Sequence, residues 1–260
     1  MDNINKTLYI PLYGKSYVSR LGLILEDKKA EEIWAAEGFA LKGKAKSKWL
    51  AYNMGMRSTV FDRWTKQQMQ ENPGAVVMHA GCGMDSRCIR VETSDCQWYD
   101  VDFPEVIGER KQYFRETESY HMIGSDIREE TWLDRIPAGQ TAIIVMEGIS
   151  MYLKPEELRT ALKRWKHHFG EVRILMDTYT VLAAKATKYK NPINEVGVTQ
   201  VYGFDDPQDL EEGTGITFVQ EHSLTPEDLI AQLPKKEQRF FRAMFARSMA
   251  KKIYRLYEYR

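Results

Sequence analysis

Two glycines follow the first strongly apolar run of the chain. Gly81 and Gly83 come shortly after residues 75–78, which have the composition of a buried strand. Glycine at this place permits a tight strand-to-helix turn and a close approach of the backbone to a ligand. Tight turns also use glycine for steric reasons alone, so the pair by itself does not identify a ligand.

The residues after the glycines narrow the choice of ligand. A dinucleotide fingerprint has a third glycine three residues after the second, and Ser86 occupies that position here, next to Asp85. A carboxylate is unfavourable beside a pyrophosphate, but it is compatible with S-adenosylmethionine, which carries an ammonium and a sulfonium and no phosphate. Asp85 itself is expected to cap a helix rather than to contact the ligand.

An acidic pair follows at a second apolar run. An acid at the end of the second strand, about 20 residues after the glycines, accepts hydrogen bonds from ribose hydroxyls in nucleotide-binding folds. Asp102 lies at this distance, and Asp100 competes with it for the role. Either acid could instead cap the helix that Pro104 opens. The pattern therefore predicts a ribose ligand here and leaves both acids open.

Two further acids follow apolar runs. Asp126 comes after the run at 121–123, and Glu147 comes directly after the fully apolar run at 142–146. In open α/β sheets, ligands bind at the carboxyl ends of the strands. A carboxylate at Asp126 could accept from an adenine amino group. Four successive strands thus deliver glycine or acid to one predicted edge.

The elements that must position these residues are short apolar runs alternating with amphipathic stretches. Predicted strands cover residues 75–78, 97–100, 121–123, 142–146, 172–176, 216–219 and 252–259. Helices are predicted to begin at Pro104 and Pro155, the second stopping at Gly170. This alternation predicts an α/β fold with a doubly wound, mostly parallel, seven-stranded sheet. Because residues 226–250, read as helix interrupted at Pro234, precede the last strand, that strand is predicted to be antiparallel, at or near the sheet edge.

The domain organisation follows from the same pattern. The 260 residues are predicted to form a single domain. Its parts are an N-terminal helical cap over 1–72, a ligand-binding core over 73–178, a substrate lid over 179–215, and the last part of the sheet over 216–260. The lid is inferred because an irregular stretch this long is usually a binding loop.

Composition excludes several classes of partner. Lys+Arg and Asp+Glu number 37 each, so net charge gives no general attraction to nucleic acid or an anionic membrane. No apolar run approaches the roughly 20 residues of a membrane span. The three cysteines form no CxxC pair, which favours free thiols in a reducing cytoplasm. The scattered histidines suggest no metal site, and the sequence predicts a cytoplasmic protein.

Together these motifs resemble the leucine carboxyl methyltransferase family, and most of all its bacterial branch of tetracenomycin-type polyketide O-methyltransferases. The likeness spans roughly residues 7 to 180. The motifs that carry it are, in chain order, Arg57, GCGMDSR at 81–87, DVDFP at 100–104, DIR at 126–128 and EGISMYL at 147–153. Five ordered motifs at the proper spacing are specific, whereas any one of them would not be.

The resemblance implies a class I fold that binds S-adenosylmethionine, and it implies a role for each matched residue. Arg57 would pair with the carboxylate of the methyl donor, and Glu147 would lie near its amino group and near the acceptor. Gly81 and Gly83 would line the methionine portion of the donor. Asp102 would bind its ribose, and Asp126 and Ile127 would contact its adenine. The chain departs from the family at Ala80, usually a larger aliphatic residue, and at Ile127, usually leucine.

The predicted activity is O-methylation of a hydroxyl or carboxylate on a small, polyketide-like acceptor. Tyr152, Tyr179 and Tyr202 are candidates to line the acceptor pocket, although aromatic residues in apolar contexts are also common in cores. No signature of a general base is present. The alternatives are a carboxyl methyltransferase acting on a protein C-terminus, an NAD(P)-dependent oxidoreductase, and a catalytically silent donor-binding module. The sequence determines neither the acceptor nor the oligomeric state.

Overall fold

Seven strands form one sheet in the part of the chain that the structure, a computed structural model, describes: residues 8–37, 41, 43–92, 95–186, 200–246 and 252–260. The strands are β1 (Val76–Ala80), β2 (Gln97–Asp102), β3 (Tyr120–Gly124), β4 (Ala142–Met146), β5 (Val172–Tyr179), β6 (Phe218–Glu221) and β7 (Tyr254–Tyr259). Their order across the sheet is β3-β2-β1-β4-β5-β7-β6.

The first five strands are parallel, and β7 runs antiparallel to both β5 and β6. The doubly wound, mostly parallel fold predicted from the sequence is therefore confirmed. The prediction of an antiparallel last strand near the edge is also confirmed, since only β6 lies outside β7. Because β7 is reversed, its first residue, Tyr254, pairs with Tyr179 at the carboxyl end of β5.

Helices cover both faces of this sheet. They are α1 (Tyr9–Arg20), α2 (Lys28–Glu37), α3 (Lys48–Glu71), α4 (Arg87–Arg90), α5 (Pro104–Arg110), α6 (Pro155–Phe169), α7 (Val181–Ala186), α8 (Glu227–Ile230) and α9 (Lys235–Phe241), the last continuing into a π-helical turn, Arg242–Ala246. Short 3₁₀ turns lie at Gly43–Lys46, Thr131–Arg135, Ser150–Tyr152 and Pro207–Leu210. None of these helices is both long and apolar enough to cross a membrane.

Two apolar clusters lie on opposite faces of the sheet, because neighbouring strand residues point to opposite sides. On one face, Phe61 of α3 joins Val77 and Ile143. On the other face, Trp165 of α6 joins Met78 and Ile144. Since α3 covers the sheet directly, the segment predicted as an N-terminal cap supplies one layer of the fold.

Element boundaries differ from the prediction mainly where strands end. The fourth strand and the helix from Pro155 to Phe169 have their predicted limits. The fifth strand continues three residues beyond 176, to Tyr179, which brings Asp177 into the sheet. The sixth begins at Phe218 instead of 216. Pro234 separates α8 from α9, as predicted.

The segment predicted as a lid contains more regular structure than expected. It begins with α7 and includes the 3₁₀ turn Pro207–Leu210. Residues 187–199 of this segment lie outside the described residues. The lid assignment and the division into four parts remain predictions.

Candidate active site

A cavity of about 980 Å³ lies at the carboxyl edge of the sheet. One side, here called the polar side, is formed by the loops after β1 to β4 and by α3, and it contains Arg57, Asp85, Asp102, Asp126 and Glu147. The apolar side is formed by the segments after β4 and β5, by the π-helical turn and by the start of β7, and it contains Tyr152, Tyr179, Leu182, Met244 and Ile253. The predicted convergence of four strand ends on one edge is therefore present.

The loop after β1 depends on glycine. Gly81 has φ +67° and Gly83 has φ +51°, a region that side chains with a Cβ rarely adopt. A Cβ at Gly81 would lie 2.2 Å from Cγ2 of Ile149, so the loops after β1 and β4 could not approach each other with any larger residue. Both glycines line the cavity.

Asp102, and not Asp100, lines the cavity. Its two carboxylate oxygens accept hydrogen bonds from the backbone N–H groups of Gly83 (2.7 Å) and Phe103 (2.8 Å). Burial raises the pKa of Asp102 to about 6, against these two hydrogen bonds. The carboxylate therefore changes charge near neutral pH.

Asp100 is wholly buried and occupied elsewhere. It forms an ion pair with Arg110 and accepts a hydrogen bond from the hydroxyl of Tyr120 at 2.7 Å. Burial opposes ionisation of Asp100, but the Arg110 guanidinium outweighs it and lowers its pKa to about 2. Of the two acids left open by the sequence, only Asp102 is available to a ligand.

Asp126 and Ile127 lie together on the cavity wall, as predicted. Asp126 accepts hydrogen bonds from the backbone N–H and from Nε of Arg128, both at 2.9 Å. Burial raises the pKa of Asp126, but the hydrogen bonds from Arg128 outweigh burial and lower it. The loop after β3 thus presents an ionised carboxylate and an aliphatic side chain side by side.

Arg57 of α3 reaches the same edge from a buried position, with 4% of its surface exposed. Its Nε donates to Oε1 of Glu147 at 3.1 Å. Its Nη1 donates to Oδ2 of Asp177 at 3.1 Å and to the hydroxyl oxygen of Tyr254 at 2.7 Å. Burial lowers the pKa of Arg57, but Tyr254 and the two carboxylates outweigh it and keep the guanidinium charged.

Glu147 connects Arg57 to a second buried guanidinium, that of Arg87, which bonds its other oxygen. Burial raises the pKa of Glu147, but Arg57 and Arg87 outweigh it and lower the pKa to about 2. Arg87 is held in turn by Asp62 at 2.7 Å. Leaving one member of such a network unpaired is costly in a buried setting.

Asp85 is a member of this ion-pair network and also lies just before α4. One of its oxygens accepts the backbone N–H of Arg87, the first residue of α4, at 2.9 Å, although the N-cap position of this helix is Ser86 and not Asp85. Asp85 is also paired with Lys15 at 2.7 Å and with Arg90 at 2.9 Å. The sequence prediction did not anticipate these ion pairs.

The three tyrosines predicted for the acceptor pocket do not all meet there. Tyr152 and Tyr179 line the large cavity. Tyr202 lies instead on a separate cavity of about 340 Å³, and its backbone N–H donates to the carbonyl oxygen of Met151 at 2.7 Å. The structure thus brings Tyr152 and Tyr179 together and leaves Tyr202 outside the lining of the large cavity, because the path of its loop is not encoded in the local sequence.

The two residues that hold Nη1 of Arg57, Asp177 and Tyr254, carried no role in the sequence prediction. Asp177 follows the fifth apolar run and so carries the same signal as Glu147, an acid after a buried strand. Tyr254 carries no such signal, because it joins the site only through the antiparallel pairing of β7 with β5. No group of His, Cys, Asp or Glu that could hold a metal ion occurs among the described residues.

Comparison with known proteins places this geometry in a family. Two curated relatives are the tetracenomycin polyketide synthesis O-methyltransferase TcmP of Streptomyces glaucescens, 31% identical over 67% of this chain, and the S-adenosyl-L-methionine-dependent methyltransferase dpfgK of Gibberella zeae, 29% identical over 60%. The matching stretches cover 66% and 57% of these two relatives, slightly less than two-thirds of the first.

A solved structure shares the fold. Magnesium protoporphyrin IX methyltransferase from Synechocystis PCC 6803, solved with bound S-adenosylhomocysteine, superposes with a TM-score of 0.52 at 13% identity, over 88% of this chain and 92% of that one. The model of the leucine carboxyl methyltransferase family matches residues 8–166, which include every motif of the polar side. The chain belongs to the leucine carboxyl methyltransferase family.

Proposed function

We propose that this chain is an S-adenosylmethionine-dependent O-methyltransferase that acts on a hydroxyl or carboxylate of a small-molecule acceptor. The observation that carries the proposal is the two-sided cavity, in which charged and glycine residues form one side and mostly apolar residues the other. The family and the S-adenosylmethionine-dependent relative support the donor, and the relative TcmP supports O-methylation. Family membership argues against the NAD(P)-dependent alternative.

The residues of the polar side fit S-adenosylmethionine. Gly81 and Gly83 bring backbone without side chains to the cavity wall, which permits the close approach of a methionine portion. Asp102 offers carboxylate oxygens to ribose hydroxyls. Asp126 and Ile127 would contact the adenine. Arg57 and Glu147 place opposite charges side by side, which suits an amino acid zwitterion.

When bound, S-adenosylmethionine supplies an activated sulfonium methyl group. The contribution of the chain is then to hold donor and acceptor in line and to exclude water. For well-oriented reactants, positioning of this kind is worth roughly 7–11 kcal/mol of the barrier. The buried ion pairs of Arg57 and Glu147 fix the polar side before any ligand arrives, so little reorganisation is required on binding.

The apolar side would receive the acceptor. Leu182, Met244 and Ile253 are 64%, 56% and 49% exposed, and all three line the cavity. Apolar side chains left accessible at a cavity mouth are typical of a binding surface for a hydrophobic ligand. A carboxylate acceptor is already ionised at neutral pH, whereas an alcohol requires removal of a proton.

Isothermal titration calorimetry with S-adenosylmethionine and S-adenosylhomocysteine tests the donor assignment. The native chain is expected to bind both, and Asp102→Ala to weaken both by about tenfold or more, since a ligand hydroxyl loses a charged acceptor. Asp134→Ala removes an exposed aspartate outside the cavity lining and should leave affinity unchanged. No binding by the native chain would refute the donor assignment.

Methyl transfer from radiolabelled S-adenosylmethionine then tests the acceptor class. A panel of phenols, small carboxylic acids and short peptides with a free C-terminal leucine separates the small-molecule proposal from the protein-carboxyl alternative. Labelling confined to the peptides would exclude a small-molecule acceptor. Tight donor binding without label transfer to any acceptor would favour a silent donor-binding module.

A further inference from the structure

Asp177 is an ionisable side chain that the proposed function leaves without a task. It is wholly buried on β5 and is not among the described residues that line the cavity. Its Oδ1 accepts the backbone N–H of Gly148 at 2.7 Å. Its Oδ2 accepts Nη1 of Arg57 at 3.1 Å and the hydroxyl of Tyr254 at 2.5 Å. Three donors from three different elements therefore converge on one carboxylate.

Tyr254 completes a closed triangle with these two residues. Its hydroxyl oxygen accepts from Nη1 of Arg57 at 2.7 Å, while its proton is donated to Asp177. A hydroxyl can donate once and accept twice, so both neighbours are satisfied at once. The triangle fixes the rotation of the Arg57 guanidinium about its long axis.

One edge of the guanidinium remains available. The hydrogen bonds that Arg57 makes to described residues use Nε and Nη1, and none of them uses Nη2. Gly148, at φ +76°, lies beside both terminal nitrogens, and a Cβ there would lie 3.4 Å from Nη1 and 3.4 Å from Nη2. Glycine at 148 therefore leaves this end of the guanidinium uncovered.

We propose that Asp177 and Tyr254 are positioning residues that orient Nη2 of Arg57 into the cavity, where it donates a hydrogen bond to the carboxylate of the methyl donor. The inference rests on the proposed function. In it, Arg57 is oriented by two residues that lie outside the sequence motifs of the family. Asp177 acts through Arg57 and does not touch the ligand.

Asparagine cannot replace Asp177 in this triangle. An amide has one oxygen that accepts and one nitrogen that only donates, whereas the site presents three donors. In Asp177→Asn at least one of the three donors therefore meets the amide nitrogen instead of an acceptor oxygen, so the three hydrogen bonds cannot all persist. Tyr254→Phe removes the hydroxyl that joins Arg57 to Asp177. Both variants therefore weaken the hold on the Arg57 guanidinium, and Tyr254→Phe does so by removing one of the two acceptors of Nη1.

Calorimetry with two ligands that differ by one group provides the test. S-adenosylmethionine and decarboxylated S-adenosylmethionine share every group except the carboxylate that Arg57 would hold. The native chain is expected to bind the complete donor about tenfold or more tightly than the decarboxylated one. In Asp177→Asn and in Tyr254→Phe this ratio should fall to about threefold or less, chiefly through weaker binding of the complete donor.

Tyr257→Phe is the matched control, because it removes a tyrosine hydroxyl from the same strand outside the cavity lining and should keep the native ratio. If Asp177→Asn does not fold, as judged by thermal unfolding, Tyr254→Phe decides. A native ratio near one, or a native ratio retained in Tyr254→Phe, overturns the inference, as does an equal loss of affinity for both ligands. Failure of the native chain to bind either ligand would instead refute the proposed function, and this inference with it.

Discussion

The two sides of the cavity are built in different ways. On the polar side, Arg57 and Glu147 are buried and paired, and Arg87 behind them pairs with Glu147 as well. On the apolar side, Leu182 and Met244 are largely exposed. The polar side therefore depends on many simultaneous contacts, and the apolar side on few.

The two sides are therefore expected to tolerate substitution to different degrees. Removing one member of a buried ion pair leaves the other charged group unpaired, which is strongly destabilising. Truncating an exposed apolar side chain usually changes stability little. Substitution on the apolar side is therefore expected to leave the residues proposed for the donor undisturbed.

The largest expected effect comes from Arg57→Ala. It leaves Glu147 with one guanidinium partner and Asp177 with none, and we expect a loss of about 3–5 kcal/mol in the free energy of unfolding. Binding of S-adenosylhomocysteine should be lost as well. Urea unfolding and calorimetry measure the two effects.

Arg63→Ala is the control on the same helix. Arg63 pairs with Asp228 at the surface, where both side chains are more than half exposed, and such a pair is worth at most about 1 kcal/mol. Equal stabilities of the two variants would mean that the polar side is no more constrained than the surface.

The second effect concerns the glycine loop. Gly81→Ala should cost about 1–2 kcal/mol for the left-handed backbone and about 1–3 kcal/mol more for the close contact with Ile149. Gly74→Ala has a similar φ, +76°, but a Cβ there meets nothing within 4 Å, so only the first cost applies. Urea unfolding of the two variants isolates the contact, and identical losses would show that the loops after β1 and β4 can separate.

The third effect is a pH dependence at Asp102. With its pKa raised to about 6, the carboxylate is ionised at pH 7 and mostly protonated at pH 5. A protonated acid loses acceptor capacity, so affinity for S-adenosylhomocysteine should fall by about tenfold from pH 7 to pH 5. For the ligand-free chain the sign is opposite: because folding raises this pKa, the stability contributed by Asp102 is present at low pH and is lost as the pH rises through about 6.

Calorimetry at several pH values measures the binding effect, and Asp102→Asn should flatten the profile. A profile that keeps its shape in Asp102→Asn would assign the titration to another group.

The smallest expected effects are on the apolar side. Leu182→Ala and Met244→Ala should change the free energy of unfolding by no more than about 0.5 kcal/mol and leave S-adenosylhomocysteine binding unchanged. The KM for an acceptor that the native chain methylates should rise several-fold. Val219→Ala, an exposed apolar residue outside the cavity lining, should alter none of these. Weaker donor binding in Leu182→Ala would contradict the separation of the two sides.

Much of the fold followed from local patterns. The fourth strand has the limits that its five apolar residues predict. The sixth helix begins at Pro155 and ends before Gly170 because proline favours the first helical turn and glycine the position after the last. The residues predicted for the donor lie around one cavity. All of them except Arg57 of α3 lie at or just after the end of a parallel strand, and parallel strands end at the same edge.

Local patterns could not choose between neighbouring acids. Asp100 and Asp102 are two residues apart on β2 and so point to the same face of the sheet. Their difference comes from depth along the strand: Asp100 meets Arg110 and Tyr120 inside the fold, whereas Asp102 stands at the strand end. How deeply each acid is buried depends on which elements pack against the strand, and the sequence near these acids does not specify that.

The sequence by itself therefore determined the order of strands and helices along the chain, the edge at which the ligand-binding residues gather, and the family. Only the tertiary structure decided that Tyr202 lies outside the large cavity and that Asp177 and Tyr254 hold Arg57. The physical reason is distance along the chain. Asp177 and Tyr254 are separated by 77 residues and meet through the antiparallel pairing of β5 with β7, a contact that no periodicity within either strand specifies.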